Sequence, residues 1–136
     1  METHMTISRN YELAALLLRV TLGAVLIAHS LYLKLVVFTL PGTAEFFSSI
    51  GLPAFLAYFF FFVEAVSGIA LIVGFHSQIA AAMVAPILLG ATWAHWDAGW
   101  LFENEGGGWE YPLVLVLMAA TQIFLGNGRY TITKEA

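Results

Sequence analysis

The stretch FFFFVEAVSGIALIVGF, residues 59–75, is nearly unbroken hydrocarbon with one carboxylate, Glu64, inside it. In water that residue would need no comment. At the centre of a membrane helix an ionisable group costs roughly 2.5–3.5 kcal/mol on insertion scales, so its presence calls for a partner or a use. Composition decides which solvent applies. Of the 136 residues, 60% are hydrophobic and 10% are charged. Soluble domains carry about 25% charged residues. So few charges cannot cover a water-soluble globule, and the mean hydropathy of +0.85 agrees.

Four apolar runs then read as candidate spans: Leu13 to about Phe38, about Ala54 to Val73, about Ser77 to Trp96, and Tyr111 to about Leu125. A spanning helix takes about 20 apolar residues, so the fourth run is short and should begin at or before Glu110. The first run is too long for the h-region of a signal peptide and has no clear A-x-A site after it, so it reads as a retained helix. Backbone groups in lipid must be satisfied internally. The predicted fold is therefore all-α, a polytopic membrane four-helix bundle. Residues 13–126 form it, 1–12 make a flexible cytoplasmic N-terminus with Met1–Asn10 irregular, and 127–136 make a cytoplasmic C-terminal tail.

The connections carry their own signals. TLPGTAEFFSSIGLP, residues 39–53, is too long for a tight turn, and AEFFSSI within it is amphipathic. It reads as a short interfacial helix or half-buried hairpin between helices 1 and 2. Gly74 to Gln78 is a tight connection that makes the second and third spans antiparallel neighbours. DAGWLFENEGGGWE, residues 97–110, is Gly-rich and acidic and should lie over one mouth of the bundle. Pro86 should interrupt the third span and kink it. Gly23 and Gly68 are among the small residues that let helices approach closely.

Arg9, Arg129 and Lys134 fall on the side of the termini, with Arg19 near the mouth of the first helix, while the opposite side holds Lys34 and otherwise acids: Glu45, Asp97, Glu103, Glu105 and Glu110. The positive-inside rule then puts both termini in the cytoplasm. Trp93, Trp96, Trp100 and Trp109 mark the other interface. Five Lys and Arg against nine Asp and Glu provide no basic face for nucleic acid. There is no cysteine. That excludes a thiol relay, a thiolate nucleophile, a thiolate metal site and c-type haem attachment on this chain.

Depth assembles the polar residues. At 1.5 Å per residue Glu64 lies about 15 Å and His29 roughly 13 Å below the face remote from the termini. Lys34, His95 and Glu110 lie at or above that level. At 100° per residue Arg19, Gly23, Ser30 and Lys34 share one stripe about 60° wide, with His29 about 80° away. The expectation is a cavity in the outer half of the bundle under a Trp-rich rim. Glu64, His29, His95 and Glu110 are its reactive groups, and Lys34, Arg19, Tyr111 and Trp96 are its binding groups. The plainer alternative is that these residues pair only to fix helix register. Haem between His29 and His95 would span depths roughly 10 Å apart. A metal held by His29, Glu64, His95 and Glu110 has no HxxxH or ExxH spacing behind it, so no metal site is predicted.

The segments RVTLGAVLIAHSLYLK, LPGTAEFFSSIGLP, EAVSGIALIVGF, the AH ending the third span and GGGWEYPLVLVLMAATQIFLGNGRYTI resemble, in order and spacing, the DoxX family. The resemblance runs from Arg19 to Ile132. It is carried by Arg19, Gly23, His29, Lys34, Gly51, Pro53, Glu64, Gly68, Gly74, His95, Glu110, Tyr111 and the Gly126–Gly128 turn. One departure is the tail RYTITKEA, where the family often has an Asp. The resemblance implies a bacterial inner-membrane protein and, through the subunits of thiosulfate:quinone oxidoreductase, membrane redox complexes. A quinone is then the implied cofactor, with His29, His95 and Lys34 as donors and Glu64 and Glu110 as proton relays. A protein partner would supply electrons. The competing readings are a non-enzymatic scaffold or assembly factor for a partner protein, and a small-solute carrier built as a homo-oligomer.

Overall fold

The computed structural model describes residues 1–134, and all of the regular structure in them is helical. α1 (Glu2–Ile27) continues without a break as a π-helical segment (Ala28–Val37). α2 (Leu40–Ser49) follows, then α3 (Phe55–Val73), α4 (Ser77–Ala94), a single 3₁₀ turn (Trp96–Ala98) and α5 (Glu110–Leu125). The helix that contains α1 and the π segment, together with α3 and α4, is long and apolar enough to cross a membrane. α5 is apolar but has only 16 residues. The chain is a helical membrane bundle.

α3 shows why the bundle belongs in lipid. Phe55, Phe59, Phe62, Val66 and Ile69 recur at helical spacing and point outward, while Glu64, Ser67 and Gly68 are buried. Phe62 is 64% exposed and Glu64 5%. A water-soluble helix would be the other way round. Leu22, Leu26, Leu71, Val84, Leu88 and Leu115 form the apolar core between the long helices. α1 packs on α3, and α4 packs on both α3 and α5.

The α1–α3 contact depends on glycine. A Cβ on Gly23 would stand 2.7 Å from the Gly68 carbonyl oxygen, and one on Gly68 would stand 3.1 Å from that of Gly23. The two backbones touch, as small residues permit in membrane helices. These glycines are spent on packing within the chain.

The end holding both termini is fastened by the tail. Arg19, fully buried, donates from Nη2 to the carbonyls of Arg129 (2.7 Å) and Tyr130 (3.2 Å), and from Nη1 to that of Ile72 (3.4 Å). The Ile72 carbonyl belongs to the last turn of α3, where a cation also meets the negative end of the helix dipole. Gly74 closes α3 at φ 73° and lies against the Arg19 guanidinium, so a side chain there would strike it. Ile132 and Thr133 donate backbone hydrogen bonds to the Val73 and Gly74 carbonyls. Glu12 pairs with Arg129 at 2.6 Å, and the Tyr11 hydroxyl donates to the Leu125 carbonyl.

Four local features refine the sequence reading. The sequence reads Met1–Asn10 as irregular, but the helix begins at Glu2, with no glycine or proline to stop it. The 39–53 connection contains a helix, the first of the two forms its pattern offers, capped by Thr39 Oγ1 accepting from Gly42 N at 3.2 Å. α4 runs through Pro86 without interruption. The tail 127–136 is docked as far as Thr133, and its last two residues, Glu135 and Ala136, lie outside the described residues.

Candidate functional site

The half of the bundle remote from the termini encloses a cavity of about 640 Å³. The π segment, α3, α4 and α5 form its walls, α2 lies along one side, and residues 102 and 106–108 of the long loop close the top. Phe38, Phe46, Phe47, Phe60 and Phe102 give it an aromatic lining. A few polar groups interrupt that lining: His29, Lys34, Thr43, Glu64, His95 and Tyr111. An apolar concavity with a few converging polar groups is the usual form of a small-molecule site.

Lys34 and Glu64 meet in its wall. Lys34 Nζ donates to Glu64 Oε2 at 2.5 Å, with side chains 19% and 7% exposed. The pair joins the first spanning helix to α3 and answers the question that Glu64 raises: its charge is matched inside the bundle. Glu64 Oε1 has no hydrogen-bond partner among the described residues.

The π segment sets up this side of the cavity. Its hydrogen bonds run from residue i to i+5, as from Phe38 N to the Leu33 carbonyl at 2.7 Å. The wider turn brings residues five apart towards one face, so His29 and Lys34 both line the cavity. At 100° per residue the same two would be 140° apart. Single π turns inside α-helices occur often at functional sites. Thr39, directly after this segment, holds φ 64° and ψ 158°, a region normally left to glycine. It carries the sharp bend into α2.

Two histidines present ring edges. His29 Nδ1 lies 2.9 Å from the Val25 carbonyl and His95 Nδ1 2.8 Å from that of Ala91, each four residues back on its own helix. The His29 ring also stacks on Tyr111, with centroids 5.7 Å apart and planes 29° apart. The Cδ2–Nε2 edge of His95 faces Gly107.

Of the eight predicted site residues, His29, Lys34, Glu64, His95 and Tyr111 come together in the cavity wall, and three do not. Arg19 is the bracket at the opposite end of the bundle. Fifteen residues separate it from Lys34, about 22 Å along a helix, so a shared stripe does not give a shared depth. Glu110 turns into the loop, where Oε1 accepts from Phe102 N at 3.0 Å. An acid at the first position of α5 also suits the positive end of that helix. Trp96 stacks on Trp109 at 4.6 Å, and Trp100 meets Trp109 edge-on at 4.5 Å. This trio packs on itself beside the loop, so Phe102 and three glycines form the rim in place of the expected tryptophans. Phe60 lines the cavity, while Phe59 and Phe62 face outward. Thr43, Phe46 and Phe47 are not singled out from the sequence, and Gly90 is read there only as a small packing residue. The amphipathic pattern of AEFFSSI, residues 44–50, is the signal for Phe46 and Phe47. Among the described residues, no three His, Cys, Asp or Glu side chains gather as metal ligands would.

The comparisons with known proteins bear on the same half of the chain. A curated relative, "Putative oxidoreductase CatD" of Bacillus subtilis (strain 168), is 34% identical over 84 residues, 62% of this chain. The match spans 60% of the relative's own length. No solved structure matches. The family model of DoxX matches residues 14–96, a range that contains His29, Lys34, Glu64 and His95. The chain belongs to the DoxX family.

Proposed function

We propose that this chain is a quinone-binding membrane subunit of an oxidoreductase complex in a bacterial inner membrane, with its termini in the cytoplasm and its cavity in the outer half of the bundle. The observation that carries the reading is the Lys34–Glu64 pair in the wall of an otherwise aromatic cavity, with two histidine edges beside it. A quinone head is flat, apolar on both faces and polar at two oxygens. Phe46, Phe47 and Phe60 offer surfaces for the faces, and Lys34, His29 and His95 offer groups for the oxygens. The name of the Bacillus subtilis relative supports a redox setting. The uneven distribution of Lys and Arg supports the orientation. With no cysteine on the chain, a partner protein exchanges the electrons, and this chain binds the ring and handles its protons through Glu64 and the histidines.

Photoaffinity labelling tests the placement. An azidoquinone irradiated with the protein in nanodiscs should mark Phe46, Phe47, Phe60 or Tyr111, and excess unlabelled short-chain quinone should suppress the marking. Labels confined to the outward residues Phe59, Phe62 and Ile69, with no suppression, would mean that the probe only partitions into lipid.

A further inference from the structure

The cavity is shut on the side of water. Residues 102 and 106–108 lie across its top. Their loop is held by Trp109 N donating to the Gly99 carbonyl at 3.0 Å, Glu110 N to the Trp100 carbonyl at 3.1 Å and Phe102 N to Glu110 Oε1 at 3.0 Å. Gly108 is buried and crosses so close to residue 101 that a side chain there would overlap the Leu101 carbonyl. The wall towards lipid is different. α2 packs on α3 and on the π segment, and α4 packs on α3 and α5. Among the described residues no packing of similar extent joins α2 to α4. Phe46 of α2 and Gly90 of α4 both line the cavity, and both are exposed. A Cβ on Gly90 would meet no atom within 4 Å. Gly90 lies four residues before Ala94, the end of α4, which places it about 6 Å deeper. Trp93, exposed one turn above it, suits the membrane interface. The gap is therefore at the depth of hydrocarbon.

We infer that the space between α2 and α4 beside Gly90 is the port of the cavity, and that its ligand is a membrane-dissolved ring with a long apolar tail. The ring enters sideways from the leaflet remote from the termini, and the tail stays in that leaflet along α4. The inference rests on the ring-binding reading above and adds the tail and the route. The chemistry around the port fits a hydrocarbon chain. α2 offers Phe46, Phe47 and Ile50 there, and its Thr43 hydroxyl is spent on the Thr39 carbonyl at 2.8 Å. On α4, His95 lies about 140° round the helix from Gly90, so the polar wall and the port are apart. A ring then reaches Lys34, Glu64 and the histidines while its tail loses no contact with lipid. Glycine at position 90 keeps the passage free of a side chain. A ring without a tail, arriving from water, would have to unfasten the loop over the top.

The test uses the whole chain in nanodiscs and two photoprobes built on one isoprenoid quinone, one with an azide on the ring and one with a diazirine in the tail. Met83, Pro86 and Trp93 flank Gly90 along the outward face of α4. The tail probe should mark these residues or Phe46, and excess unlabelled quinone with the same tail should abolish that marking. Marking of Phe59, Phe62 and Ile69 on the outward face of α3 reports partition into lipid, and the competitor should leave it unchanged. If the competitor leaves the α4 and Phe46 labels unchanged as well, or if the tail labels it suppresses fall on Phe102 and residues 106–108, the port is overturned. Ring binding then stands as long as the azide still marks the cavity and the competitor suppresses it. If neither probe gives a suppressible label, ring binding fails and the port falls with it.

Discussion

Replacing Glu64 alone by Leu should destabilise the bundle by about 3–5 kcal/mol, and replacing Lys34 with Met in the same chain should recover most of that loss. Glu64 and Lys34 hold each other at 2.5 Å with little solvent on either. Removing one partner leaves the other charge in an aromatic wall without a counter-charge. Removing both replaces two costly desolvations with apolar contact, and such exchanges are often neutral or stabilising. Glu64→Gln lies between the two: the amide keeps the shape and can still accept from Lys34, but loses the charge. The measurement is thermal unfolding in mild detergent, followed by tryptophan fluorescence, for both single variants and the double variant. Ring binding should be lost in Lys34→Met/Glu64→Leu even where stability returns. A double variant no more stable than the worse single variant would mean that the pair does not act as a unit.

Arg19→Met should cost stability on a similar scale, about 3–5 kcal/mol, without changing the affinity of the remaining folded protein for the ring. The guanidinium is wholly buried and holds three carbonyls, those of Ile72, Arg129 and Tyr130. Each buried acceptor left unpaired costs about 1–3 kcal/mol, and the three share one donor, so their costs do not simply add. Arg19→Lys should recover only part, because one ammonium cannot reproduce the fork. Normal stability with lost ring binding would instead make Arg19 a ligand residue, contrary to its position in the fold.

Arg19 also shows what the sequence could and could not reveal. Its burial was legible, since a charge facing lipid would stand unpaired. Its destination was not, because a helical wheel keeps angle and discards depth. The spans themselves were plain: the run from Ala54 to Val73 became α3, and the run from Ser77 became α4, because twenty apolar residues in a row leave few alternatives. Depth alone put Glu64 level with His29 and Lys34 at or above them, and the Lys34–Glu64 pairing itself came with the structure. The π segment left no mark on the pattern of AHSLYLKLVV that a 100° wheel could detect, and it is what turns His29 towards Lys34. Glu110 and the tryptophans were misplaced for a different reason. They lie at or beside an irregular loop, where no periodicity says which way a side chain turns.

The central claim is that the cavity beside Lys34 and Glu64 is a binding site for a flat amphipathic ring, and Gly90 offers the most direct measurement. A Cβ added there meets no atom within 4 Å, and the residue lines the cavity. A leucine at this position would therefore fill the cavity without straining α4, and its helix propensity exceeds that of glycine. Titration of wild type and Gly90→Leu in nanodiscs with a short-chain ubiquinone analogue compares an open cavity with a filled one. The account predicts saturable binding to wild type and a loss of tenfold or more in Gly90→Leu, with the unfolding temperature unchanged or raised. Equal binding by the two proteins, or no saturation by wild type up to the solubility of the analogue, would contradict it.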